Sequence, residues 1–231
     1  MYLTVVAVMV LYLSVAHAFS HNLSRQSRLL QRTVTKMSAD VKYNVGFMFP
    51  GQGAQAVGMS VALCDEVPAA KELFDKASKI LGYDLLDVCK NGPKEKLDST
   101  VVAQVAIFVS SMAALEKLKI SEPEAVASCT VAMGLSLGEY SALCFAGAFS
   151  FEDGVKLTKA RGEAMQAAAD ASKSGMVAII GLDVATVDKI CQEAATKSGK
   201  PISIANYLVD GNYAISGTDL FIMLLMLYYI I

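Results

Sequence analysis

The apolar positions along this chain change their period several times, and each change marks an element. Asn44–Phe49 is a short apolar run stopped by Pro50, which predicts a strand. Val67–Leu81 repeats apolar residues at Ala70, Leu73, Phe74, Ala77, Ile80 and Leu81, the stripe of an amphipathic helix. Asn91-Gly-Pro93 marks a turn. Thr100–Leu118 is apolar on nearly every side and predicts a buried central helix. Residues 125–133 are apolar throughout, as expected of a parallel strand covered on both faces. A helix follows to about Ala146, and Ser150 and Asp153 can cap another that runs to about Ala171. From Gly175 the order becomes strand (Met176–Ile180), helix (Asp183–Lys197) and two strands (Pro201–Asn206, Asn212–Ser216) around a turn at Val209-Asp-Gly211. That β-α-β-β order is a ferredoxin-like unit short of one helix and one strand.

The chemistry concentrates where 125–133 ends. Gly134, Ser136 and Gly138 spell G-x-S-x-G between an apolar run and a helical pattern, the nucleophile-elbow arrangement. A serine hydroxyl is a weak nucleophile and must be lifted clear of the fold. The helix starting near Leu137 turns its free N–H groups toward the same spot, so the Leu137 N–H can serve an oxyanion. Gly51-Gln-Gly-Ala-Gln55 follows the first strand. It lacks the spacing of a phosphate loop, and the alternative is a close backbone approach to Ser136, with Gln52 offering its N–H.

Composition alters this picture mainly at the ends. Residues 1–18 are uncharged, apolar and close in Ala16-His17-Ala18, as a signal peptide does. Residues 19–40 are rich in Arg and Ser/Thr and hold no acid before Asp40, like a transit peptide. Together they resemble the two-part leader of proteins bound for complex plastids, with secretion or mitochondrial import as alternatives. Arg25, Arg28, Arg32, Lys36 and Asp40 lie in that leader; removing them from 20 basic and 22 acidic residues leaves 16 against 21, a charge of −5. Such a balance speaks against nucleic acid or an anionic membrane as partner. The five scattered cysteines form no C-x-x-C pair and read as free, mostly buried thiols. Residues 220–231 are an apolar tail of 12, too short to span a bilayer unaided.

Several motifs in one order resemble a known family. Phe49-Pro-Gly-Gln-Gly-Ala-Gln55, Gly134-Leu-Ser-Leu-Gly-Glu-Tyr-Ser-Ala142, Arg161-Gly-Glu-Ala-Met165, Ser203-Ile-Ala-Asn-Tyr207 and Ala214-Ile-Ser-Gly217 are similar to malonyl-CoA:acyl-carrier-protein transacylases of type II fatty-acid synthesis. Leu135, where many bacterial members have histidine, looks like the plastid branch. The resemblance implies an α/β fold: an α/β-hydrolase-like large domain over 41–171 and a ferredoxin-like small domain over 172–219, both incomplete at the C-terminus, with 220–231 outside the family pattern. It implies Ser136 as nucleophile, Gln52 and Leu137 as the oxyanion hole and Arg161 as the partner of the malonyl carboxylate, with Asn206 a weaker candidate. It implies malonyl-CoA and acyl-carrier protein as partners, no metal or redox cofactor, CoA and phosphopantetheine arriving as substrate carriers, and no stable membrane association.

The family's general base is a histidine downstream of these motifs. Here histidine occurs only at 17 and 21, so the reading expects a truncated chain, inactive as written. Two rivals remain at the sequence level. The elbow alone fits a serine esterase or thioesterase equally well, and the missing base fits a non-catalytic module that binds acyl-carrier protein or CoA. The leader gives a first prediction. A reporter carrying residues 1–40 is expected in the plastid and one carrying 19–40 outside it; imaging that finds the first in the medium overturns the plastid reading.

Overall fold

In a computed structural model the chain is described at residues 45–171 and 173–218. The two leader segments, residues 1–40, and the apolar tail 220–231 lie outside the described residues. The rest forms two compact α/β units, parted at Ala164/Met165.

The first unit begins with β1 (Val45–Phe49), followed by four short or medium helices: α1 (Val61–Glu66), α2 (Pro68–Leu81), α3 (Leu85–Asn91) and α4 (Lys94–Asp98). The central helix α5 (Thr100–Ser121) and the short α6 (Pro123–Ala127) lead to β2 (Cys129–Gly134), and α7 (Leu137–Phe145) follows. The long α8 (Phe151–Ala171) carries the chain out of this unit. β1 and β2 pair in parallel, so that Phe49 stands opposite Gly134 at their common end.

The core lies around α5. Phe74 and Ala77 of α2, Leu85 and Cys89 of α3, Leu97 of α4 and Val105, Phe108 and Val109 of α5 are all essentially removed from solvent. By length and composition α5 could cross a membrane, but most of it is buried inside this unit. Phe108 stacks on Phe151 at 5.8 Å, and Phe47 and Phe49 of β1 meet Phe145 of α7 at 5.1 and 6.0 Å.

Local chemistry explains the boundaries. Asp84 caps α3 by accepting the Asp87 N–H. Ser150 and Asp153 close the start of α8: the Ser150 hydroxyl accepts the Asp153 N–H at 3.1 Å and donates to its carboxylate at 2.7 Å. Those bonds, and the Lys156 ammonium, hold the Asp153 carboxyl below its usual range.

The second unit holds β3 (Gly175–Ile180), α9 (Val184–Ser198), β4 (Ile202–Val209) and β5 (Asn212–Gly217). Its antiparallel sheet runs β3-β5-β4, with β5 in the middle. Val187, Cys191 and Ala194 of α9 pack on Ile179, Ile202, Tyr213 and Ile215. Asp183 caps α9 by accepting the Thr186 N–H at 2.9 Å.

Three expectations need correction. The stretch 125–133 is not strand throughout: Pro123 starts a helical turn at its first position, and the strand begins only at Cys129. The same strand is not covered on both faces, since Met48 and its register partner Met133 are 80% and 47% exposed. The hairpin of β4 and β5 turns at Asp210-Gly211, because β4 continues through Val209.

Helix α8 also shows how tightly this unit is packed. A Cβ on Gly154 would stand 2.3 Å from the Phe108 ring. Gly154→Ala should therefore lower stability by about 1–3 kcal/mol through overpacking, although alanine is the better helix former by about 1 kcal/mol. A thermal melt decides the sign; a raised midpoint would show that Phe108 moves aside freely.

Candidate active site

The site is built on a turn that only glycine can make. A Cβ on Gly134 would lie 2.0 Å from the Gly138 carbonyl carbon, and one on Gly138 would lie 2.1 Å from the Phe49 carbonyl oxygen. Both glycines of G-x-S-x-G are thus demanded by backbone packed against backbone. The turn closes through Gly138 N–H donating to Leu135 C=O at 2.8 Å and Glu139 N–H to Ser136 C=O at 3.2 Å. Ser136 takes φ 54° and ψ −106°, a conformation L residues avoid. Strain of this kind persists where surrounding packing over-determines it, commonly at functional sites.

Ser136 is exposed, and Leu137 behind it is buried as the first residue of α7. The Leu137 N–H belongs to the first turn, which has no intrahelical acceptor, and it is free to serve an oxyanion. The loop after β1 lies against the elbow: a Cβ on Gly51 would come within 2.7 Å of the Leu135 carbonyl oxygen. Gln52 is the next residue on that loop, exposed, with its side-chain amide reaching the Thr100 hydroxyl at 3.5 Å. The Gly53 N–H is taken by the Gln55 side chain at 2.8 Å, and Gln55 donates to Asp98 at 3.0 Å. One N–H that a phosphate loop would offer a ligand is therefore already occupied.

Arg161 of α8 reaches this serine. Its Nη2 donates to Ser136 Oγ at 2.8 Å, its Nη1 donates to Gln104 Oε1 at 2.6 Å, and its guanidinium carbon lies 5.6 Å from the centre of the Tyr140 ring. Gly162 makes the reach possible. A Cβ there would come within 2.9 Å of the Thr100 carbonyl oxygen, so α8 can lie close on the start of α5 only with glycine at that point. Gln104, one turn along α5, is completely buried. The sequence reading passed over it. The available signal was its polarity, alone in the apolar stretch 101–109.

Asn206 belongs to the second unit. It stands exposed on β4, opposite Ala214 and beside a register shift. Burial pushes the Cys89 thiol up to about 12 and the Cys144 thiol up to about 11, so both stay protonated near neutral pH. No cluster of three or more metal-binding side chains occurs among the described residues.

Comparison with known proteins fits this geometry. Residues 46–200 match the acyl transferase domain model. The chain belongs to the acyl transferase family. It is 43% identical over 176 residues to the mitochondrial malonyl-CoA-acyl carrier protein transacylase of Mus musculus, covering 74% of this chain and 46% of that protein. It is 42% identical over 176 residues to the malonyl CoA-acyl carrier protein transacylase of Bacillus subtilis, covering 75% and 53%. The structure of the transacylase from Coxiella burnetii superposes with a TM-score of 0.71 at 38% identity, over 80% of this chain and 58% of that one. A malonyl-transacylase solved in complex with its type II PKS acyl-carrier protein superposes with a TM-score of 0.70 at 34% identity, over 79% and 57%. The chain thus spans about half the length of the sequence relatives it matches.

The strain at Ser136 has a measurable side. Ser136→Gly removes the hydroxyl and relieves the backbone, so the variant should be more stable by roughly 1 kcal/mol, or about 2–4 °C in melting midpoint. A lower midpoint would mean that the hydroxyl's bond to Arg161 outweighs the strain.

Proposed function

We propose that the full-length protein transfers a malonyl group from malonyl-CoA to the phosphopantetheine thiol of acyl-carrier protein in fatty-acid biosynthesis, through an ester on Ser136. The observation that carries this reading is Arg161 Nη2 standing 2.8 Å from Ser136 Oγ. A malonyl group has its free carboxylate one methylene from the reacting carbonyl. A cation within one hydrogen bond of the nucleophile is therefore at the right range to hold that carboxylate while the carbonyl meets the serine. Arginine's planar fork suits a carboxylate in two parallel bonds.

The chemistry follows in two halves. Ser136 Oγ attacks the thioester carbonyl, the N–H groups of Leu137 and Gln52 receive the oxyanion, and the CoA thiolate leaves. The carrier's thiol then attacks the seryl ester, and the serine oxygen leaves. Each half needs a group that takes and returns a proton. No histidine is found among the described residues. CoA and phosphopantetheine enter as carriers of the acyl group, and the reading needs no metal or redox cofactor. The larger unit would then be α/β-hydrolase-like and the smaller one ferredoxin-like, with Asn206 a secondary candidate in the smaller. The two-part leader supports delivery to a plastid. Two relatives are named as mitochondrial, which keeps that organelle as the alternative.

Paired variants test the assignment. Ser136→Ala should abolish transfer. Arg161→Ala should lower malonyl transfer by roughly 10²-fold or more, the usual cost of removing one partner of a hydrogen-bonded charge pair, and raise acetyl transfer relative to it. An unchanged malonyl preference in Arg161→Ala would overturn the role of Arg161. A simple esterase would hydrolyse neutral acyl esters without regard to residue 161.

A further inference from the structure

We propose that Gln104 is a positioning residue that sets the selectivity of this site for a carboxylated acyl group, by fixing the Arg161 guanidinium without neutralising it. The inference rests on the reading of Arg161 given above. It starts from a buried amide in an apolar stretch of helix. From Val102 to Val109 the central helix is apolar except for Gln104, which is wholly excluded from water. An unpaired amide in such surroundings is costly, and methionine would fill nearly the same volume without that cost. The amide has a use in this position: its Oε1 accepts from Arg161 Nη1 at 2.6 Å.

That single bond does much to set the guanidinium's orientation. The group is flat, so holding Nη1 and resting the carbon over the Tyr140 ring leaves it little freedom to rotate, while Nη2 faces Ser136. An arginine side chain otherwise gives up considerable rotamer freedom on binding, and a side chain already fixed gives up less. The backbone sets the geometry as well, since the close approach at Gly162 determines where α8 lies along α5.

The choice of amide over carboxylate matters equally. A glutamate at 104 could reach the same nitrogen, but it would form a buried ion pair with Arg161 and compete with the substrate's carboxylate. A neutral acceptor orients the cation and leaves its charge for the ligand. Gln104 thus acts through Arg161.

The test uses the full-length protein with Gln104→Met, which keeps the shape and removes the acceptor, Gln104→Glu, which keeps the shape and adds charge, and Arg161→Ala. Malonyl and acetyl transfer are measured separately. Gln104→Met should raise the malonyl KM roughly tenfold, the size expected for one hydrogen bond to a charged group, with kcat and acetyl transfer little changed. Gln104→Glu should raise the malonyl KM further. Equal losses of malonyl and acetyl transfer, or an unchanged malonyl KM in both variants, would overturn the proposal.

A second readout does not depend on turnover. In guanidinium-resolved NMR spectra, Arg161 should rotate slowly in the wild type and fast in Gln104→Met, with a thermal melt confirming that the variant is folded. Identical Arg161 spectra would overturn the proposal even if the kinetics changed. Should the wild type show no transfer, or Arg161→Ala keep its malonyl preference, the function assigned above fails, and the selectivity claim with it. The NMR comparison then still decides whether Gln104 holds the guanidinium.

Discussion

The larger unit depends on one close approach, that of the Gly138 backbone to the carbonyl of Phe49. No side chain could stand between them, because a Cβ on Gly138 would overlap that oxygen at 2.1 Å. The contact locks the end of β1 to the turn that follows β2 and to the first turn of α7. Ser136 is forced to φ 54°, Leu137 is driven into the core, and the Gly51 loop is drawn alongside. A second close approach, Gly162 against Thr100, does the same for the cation. Ser136 and the charge beside it are therefore placed by backbone contacts, and their side chains complete an arrangement that those contacts already define.

The resulting site separates roles by environment. The serine is exposed and held by a guanidinium. That guanidinium is held in turn by a buried neutral amide and an aromatic face. Cys89 and Cys144 are kept protonated near neutral pH by burial. The amide that accepts from Arg161 carries no charge, so that contact does not neutralise the guanidinium.

Much of this was legible in residues, for reasons that differ from element to element. Helix α2 announced itself by a full apolar stripe, and α5 by its apolar length. The elbow was legible because its glycines are required by geometry, so their spacing is the same wherever such a turn occurs. Helices α1, α3 and α4 were missed because five to seven residues cannot display a repeating stripe. Residues 125–127 were read as strand from their Ala and Val content, whereas Pro123 and Glu124 at the start of a helical turn decided otherwise. Arg161 has no local signal that sets it apart from a surface helix residue, and only the resemblance of its motif marked it. Gln104 went unread because counting apolar positions overlooks the one polar residue among them.

The pairing of Val45 with Cys129 encloses the whole helical layer between them within one loop. The hydrogen bonds within a helix join near neighbours along the chain, whereas two strands so far apart must first meet the entropy of closing that loop. The turn at Ser136 is held in its strained shape only once β1 has found β2. The shape of this turn is thus a product of completed folding: a chain still searching for its topology has nothing to hold residue 136 at a positive φ.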